Sequence, residues 1–300
     1  MRKSPRRTLP ATVRGAMVRA MDRRSFLAAL GAATAATAAG ASLRSAAAAP
    51  TAMPIGLQLY TVRSLMERDM PGTLARVAAI GYREVEFAGY FGRTPAQVRT
   101  LLAQHKLTSP STHLGMDLLT GTEAQRTLAD ARAIGHQWAT IAWVDAAQRK
   151  TLDDWKRIAA TFNRIGTQAR AAGLRFAYHN HDFEFPLVDG TIPLAVLLRE
   201  TDPALVDFEL DIYWLVKAGH DPFTWFAHYP GRFRMLHLKD AGPAPERRML
   251  DVGAGTIDWR AVLAAAARAG VRHTFVEHDE PADAFASIAA SERYLAALRF

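Results

Sequence analysis

The chain has 300 residues, no cysteine and a formal net charge of +8. That charge lies in residues 1–49, where nine basic side chains (Arg2, Lys3, Arg6, Arg7, Arg14, Arg19, Arg23, Arg24, Arg44) face one acid, Asp22. The other 28 basic and 28 acidic residues balance, which argues against a nucleic-acid partner, and a disulfide framework is excluded.

The leader reads as an export signal. Asp22-Arg23-Arg24-Ser25-Phe26-Leu27 has the twin-arginine pattern, an Ala/Gly/Thr-rich stretch runs to Ala41, and small residues from Ser45 to Ala49 precede Pro50. Met21 by itself would open a complete signal. The apolar stretch is short and weakly hydrophobic for a spanning helix. The expectation is a leader over 1–49 and one domain over 50–300, delivered to the periplasm or secreted, with no stable membrane span once the signal is removed.

After Pro50, short apolar runs alternate with helical patterns. Strands are predicted over 55–60, 82–88, 106–113, 138–144, 174–181, 206–214, 233–240 and 271–279. Helices are predicted between them, over 73–80, 94–104, 123–134, 153–172, 192–201, 221–229, 259–269 and 284–298. Pro95 and Pro222 open two of these, and Gly81, Gly135, Gly173 and Gly270 close others. Eight strands, each followed by a helix, in about 250 residues predict a single (β/α)8 barrel. An open doubly wound sheet would carry a Gly-rich phosphate loop after its first strand, and none is present.

Such barrels place chemistry at the C-terminal ends of the strands. There the sequence offers Glu86, His113, His179, His181, Asp211, His237, Lys239, Asp240, Glu277 and His278. His179 and His181 alternate at a strand end and so share a face. Imidazole and carboxylate donors together suit a divalent ion such as Mn, Co, Zn, Fe or Ni, with Mg less favoured. Each residue also has a structural reading: Glu86 as a rim ion pair, His237 as a core histidine, Asp211 as a helix cap, Glu277 and His278 as a solvated end. Tyr60, Phe87, Trp143 and Trp214 offer apolar walls, and Asp251 to Gly255 reads either as a closing loop or as an ordinary turn.

Taken together, Leu57-Gln58-Leu59-Tyr60-Thr61-Val62-Arg63, Gly81-Tyr82-Arg83-Glu84-Val85-Glu86, Tyr178-His179-Asn180-His181, His237-Leu238-Lys239-Asp240 and Val252-Gly253-Ala254-Gly255-Thr256-Ile257-Asp258-Trp259 resemble the sugar phosphate isomerase/epimerase family. This is the xylose-isomerase-like barrel superfamily, which also holds endonuclease IV and inosose dehydratase. The resemblance covers about residues 54–299 and implies one divalent metal ion at the barrel mouth. It carries the metal ligands onto His179, Asp211, His237 and Glu277, with His179 standing where many ketose epimerases have Glu.

That replacement disfavours a symmetric two-glutamate epimerisation. It favours one-sided proton transfer next to a carbonyl of a sugar, as isomerisation, dehydration or β-elimination. In that scheme Glu277 or His181 takes the proton and Lys239 or His113 stabilises the oxyanion. Glu86, Tyr60, Glu184 and Trp214 contact the carbohydrate substrate. The function expected is a metal-dependent sugar isomerase/epimerase, alternatively a lyase on 3-keto-glycosides or inososes. An endonuclease-like nuclease and a non-catalytic sugar-binding barrel are the weaker readings, and an oligomer is compatible with all of them.

Overall fold

The computed structural model describes residues 53–299; the twin-arginine leader lies outside them. Among the described residues ten strands occur: β1 (Ile55–Gln58), β2 (Glu84–Phe87), β3 (Thr108–His113), β4 (Trp138–Ile141), β5 (Arg175–His179), β6 (Val206–Asp211), β7 (Phe233–Leu238), β8 (Asp240–Ala241), β9 (Met249–Leu250) and β10 (His273–Val276). Eight pair in parallel into a closed barrel in which β10 follows β7 and returns to β1. The short β8 and β9 form an antiparallel pair in the loop after β7.

The helices fill the crossovers. Helices α1 (Arg63–Arg68) and α2 (Met70–Ile80) follow β1, α3 (Pro95–Gln104) follows β2, and α4 (Met116–Thr120) and α5 (Ala124–Ile134) follow β3. Next come α6 (Leu152–Ala171), α7 (Pro193–Glu200), α8 (Ile212–Lys217) with α9 (Pro222–His228), α10 (Trp259–Ala269) and α11 (Ala284–Ala297). Their ends are written locally. Thr94 with Gln97 and Thr151 with Asp154 form capping boxes at the starts of α3 and α6. Gly135, at φ 114°, ends α5 in a conformation that favours glycine.

Strand alternation separates two cores. Phe176 and Tyr178 of β5 face outward and pack on Phe162 of α6, with ring centroids 5.3 and 4.8 Å apart. Inside the barrel, Trp138, Ala177, Met235 and Phe275 make a small apolar plug. Gly56 belongs to this layer, since a Cβ there would lie 2.6 Å from the Phe275 ring. Below the plug, Asp207 accepts the Trp138 indole N–H at 2.8 Å and an Arg175 guanidinium N–H at 2.7 Å. Above it, the barrel interior turns polar.

Several predicted strands overran. Residues 212–214, 239–240 and 277–279 lie past the ends of their barrel strands, and Ile212 to Lys217 is helical. The β6 overrun has a plain cause: the Asp211 carboxylate accepts the Trp214 N–H at 2.9 Å and caps α8. Helices α1, α4 and α8 are short additions that the periodicity did not mark.

Candidate active site

Two layers of titratable side chains lie above the plug, and His237 joins them. In the lower layer Glu86 Oε2 accepts from Gln58 Nε2 at 2.7 Å and lies 2.7 Å from His237 Nε2. Glu209, on β6 two residues before Asp211, places Oε2 at 2.8 Å from His113 Nε2, 3.2 Å from His237 Nε2 and 3.3 Å from His179 Nδ1. Glu86, Glu209 and His237 are fully buried. Among the described residues, no Lys or Arg comes within ion-pair distance of Glu86 or Glu209.

The upper layer holds Asp211, Glu277, Lys239 and Asp279. Lys239 Nζ lies 3.1 Å from Asp211 Oδ2, 2.8 Å from Glu277 Oε2 and 2.8 Å from Asp279 Oδ1. His237 Nδ1 meets Glu277 Oε2 at 2.7 Å. Asp211 has two duties: Oδ1 caps α8, while the buried Oδ2 faces the Lys239 ammonium.

Over this floor opens a cavity of about 530 Å³. Its floor includes His113, His179, Lys239 and Glu277, its aromatic walls are Tyr60, Trp143, Phe183 and Trp214, and His181 and Asp182 stand at one side. His181 stacks on Phe183, with planes 6° apart, and meets Trp143 edge-on. The walls are half-exposed: Trp143 is 53% and Tyr60 40% accessible.

The expected residues divide accordingly. His113, His179, His181, Lys239, Glu277, Tyr60, Trp143 and Trp214 line the cavity. Glu86 does not contact it: its register beside Gln58 and Ser111 puts it one layer beneath the mouth. Glu184 is also turned away. It is buried, receives the Tyr178 hydroxyl, and accepts the His181 N–H at 2.8 Å, so it orients His181 rather than meeting substrate. Phe87 packs outward against Tyr90 and His136. Asp240 accepts the N–H groups of Gly253 and Ile257 and the Trp259 indole N–H, at 2.8, 3.2 and 2.8 Å. With Val252 N–H bound to Ser291 at 3.0 Å, Asp251 to Gly255 is a pinned loop, and none of it lines the cavity.

Of the four expected metal ligands, Asp211, His237 and Glu277 bring donor atoms within 4.8 Å of one another. His179 falls instead into a second group with His113, Glu209 and His237, within the same distance; its Nε2 remains 3.9 Å from Asp211. Glu209 and Asp279 are the residues sequence reasoning missed. The signal for Glu209 was present, because Asp207, Glu209 and Asp211 alternate with apolar residues and so share the face that β6 turns inward.

Burial and charge set the protonation states. Burial would lower His113, yet Glu86 and Glu209 push it up to about 9. Burial, reinforced by Lys239, takes His181 down to about 3, so it is neutral at pH 7. Burial lifts Asp211 to about 6 against the pull of Lys239 and His237. For Glu277 the balance reverses: Lys239 and His237 outweigh burial and hold it well below the carboxylate range. Lys239 is held charged by Asp211, Glu277 and Asp279 despite its burial.

A divalent cation fits this donor set. Buried Glu86 Oε1 and Glu209 Oε1 lack hydrogen-bond partners, a costly arrangement that a cation relieves. Asp211, Glu277 and Asp279 share the Lys239 ammonium, while Glu86 and Glu209 meet only histidines among the described residues.

A closed parallel barrel with imidazoles and carboxylates at its C-terminal mouth defines a class of (β/α)8 barrel proteins. Within it, the pattern of the xylose isomerase-like TIM barrel family matches residues 74–299, and the chain belongs to that family. A sugar phosphate isomerase/epimerase from Parabacteroides distasonis is similar in structure, with TM-score 0.69 and 27% identity over 84% of this chain and 96% of that one. A probable 3-DHS dehydratase from Bacillus anthracis shares the fold, with TM-score 0.65 and 13% identity over 81% and 99% of the two chains. Inosose dehydratase from Lacticaseibacillus casei is 37% identical over 90 residues, 30% of this chain and 30% of that enzyme. The matched stretch thus spans under a third of the curated relatives' length.

Proposed function

We propose that the chain is a divalent-metal-dependent enzyme that removes the proton next to the carbonyl of a keto-sugar or keto-cyclitol. Loss of water or a glycosidic oxygen from the adjacent carbon is the favoured outcome, and isomerisation the second reading. The observation that carries this is the Glu277–Lys239 pair on the cavity floor, with His179 where a two-carboxylate epimerase would need a second acid. The partial likeness to inosose dehydratase supports elimination, and the isomerase/epimerase relative supports the proton abstraction that both reactions share.

A divalent ion would be held by His237 together with either Asp211 and Glu277 or His113, His179 and Glu209, and when bound would polarise the carbonyl. Glu277, kept ionised by Lys239 and His237, accepts the proton. The Lys239 ammonium faces the oxyanion that develops. Neutral His181, its backbone N–H held by Glu184, turns Nε2 toward a sugar hydroxyl while Nδ1 is buried. Trp143, Phe183 and Trp214 cover the apolar face of the ring and exclude water.

Incubation with a 3-keto-glucoside, an inosose and a simple ketose, with products read by NMR, tests the reading. Elimination product from one of the first two is expected, with kcat reduced 10²- to 10⁴-fold in Glu277→Gln. Isomerised ketose alone would move the assignment to the isomerase. We also propose export through the twin-arginine route. Replacing Arg23 and Arg24 by Lys should then retain the protein in the cytoplasm on fractionation; unchanged export would contradict this.

A further inference from the structure

Resting on the elimination reading above, we propose that the leaving group is itself an uncharged sugar, seated in a second cavity beside the mouth, so that the substrate is a keto-disaccharide. This cavity lies between the loop after β1, with α1, and the loop that joins β10 to α11. Its volume is about 550 Å³, against about 530 Å³ for the first, and either alone is of a size that holds one small ligand.

The two cavities are continuous, since Arg63, Asp279 and Glu280 line both. Contacts between the two loops hold this seam. Arg63 Nη1 donates to the Tyr60 carbonyl at 2.9 Å and to the Asp279 carbonyl at 2.8 Å, and its guanidinium lies 4.0 Å from the centre of the Tyr60 ring. Thr61 Oγ1 accepts the His278 N–H at 3.0 Å.

The seam also adjoins the chemistry. Asp279 Oδ1 lies 2.8 Å from Lys239 Nζ, which in turn lies 2.8 Å from Glu277 Oε2. A bond that crosses from one cavity to the other therefore passes beside the proposed base. In a 3-keto-glycoside that bond is C1–O. The proton leaves C2, the C1–O electron pair goes to the leaving sugar's oxygen, and that oxygen takes up a proton. One enone and one free sugar result, with no co-reactant.

The lining selects what the second cavity takes. Beyond the seam it offers Ser64 and Arg68 on α1, and Asp283 and Phe285 around the start of α11. Two guanidiniums set among three carboxylates (Asp279, Glu280, Asp283) do not make an anion site, which disfavours a phosphate on the leaving group. Mixed donors and acceptors beside an aromatic ring match a sugar, with hydroxyls at its edge and C–H groups on its faces. Water as leaving group would not use this cavity.

The test compares disaccharides oxidised at C3 of the non-reducing glucose, α- and β-linked, with the matching methyl 3-keto-glucosides. Wild type should show kcat/KM at least about 10-fold higher for one disaccharide than for its methyl counterpart. Ser64→Trp, which fills the cavity from an exposed helix position, should remove that advantage, and Arg68→Ala should lower it about 3- to 10-fold. Both variants should keep the methyl glycoside within about threefold of wild type. Saturation-transfer NMR on Glu277→Gln, which turns over slowly, should show both rings of the disaccharide in contact with the protein.

Like kcat/KM for disaccharide and methyl glycoside in wild type, or variants that act equally on both, would overturn the subsite and leave the elimination reading intact. NMR contact confined to the keto ring would do the same. If wild type eliminates neither substrate, the elimination reading fails, and NMR contact of the second ring decides the subsite by itself: its absence overturns both.

Discussion

Glu209 and Lys239 are buried charges at depths where barrel interiors are ordinarily filled by aliphatic side chains. Their charges hold one another's neighbours in place. Lys239→Met should therefore leave Asp211, Glu277 and Asp279 uncompensated and destabilise the fold by about 3–5 kcal/mol in urea titration; a change under about 1 kcal/mol would mean that the ammonium does not balance them. His136 gives a second residue-scale prediction, remote from the candidate ligands. It is fully buried, lies 3.0 Å from the Tyr90 hydroxyl and 2.8 Å from the Ser109 carbonyl, and burial lowers its pKa to about 4. The unfolded chain binds its proton near the ordinary 6.5, so stability is intact above that pH. It should fall as pH drops from 6.5 to 4, by up to about 3 kcal/mol, and His136→Gln should flatten that part of the curve. Residue identity at the mouth was largely legible, because His and acidic side chains at strand ends are conspicuous. Which way Glu86 and Glu184 turn was not, because that depends on layer and on a 3-10 turn that no local pattern reveals.

On the scale of elements, each strand–helix junction decides how far inward chemistry can reach. β6 shows this: Asp211 ends the strand by capping α8, and the same capping leaves its other oxygen pointing at Lys239. Alternation predicted the strand, but that one carboxylate would serve helix and site together required the fold. Helix α6 illustrates tight packing. A Cβ on Gly166 would stand 2.6 Å from the Leu205 carbonyl just before β6, so Gly166→Ala should cost about 1–3 kcal/mol through overpacking. Equilibrium denaturation measures it, and stabilisation instead would show that helix and loop separate freely. Strand ends were the least legible boundaries, since Trp214, Lys239 and Asp279 continue an apolar or alternating pattern after the ladder has stopped.

For the whole molecule, the eightfold alternation of strand and helix was fully readable, because closure follows from eight short buried runs and capped helices between them. The barrel supplies a rigid cup whose polar upper half lacks enough cations of its own. Its stability should therefore depend on metal: at a free Mn²⁺ concentration 1,000 times Kd, the folded state should gain about 4 kcal/mol, and chelator should remove it. Thermal melts with and without chelator check this, and superimposed melts would speak against an ion in the native barrel. Among the described residues no helix is long and apolar enough to cross a membrane. In the proposed function the mouth removes a proton beside a carbonyl. Turnover of a keto-substrate in D2O, followed by NMR, should show the hydrogen on the carbon next to the carbonyl removed, with solvent deuterium at the neighbouring carbon that lost its oxygen, and that conversion lost in Glu277→Gln. Conversion of substrate with the original hydrogen next to the carbonyl fully retained would contradict it.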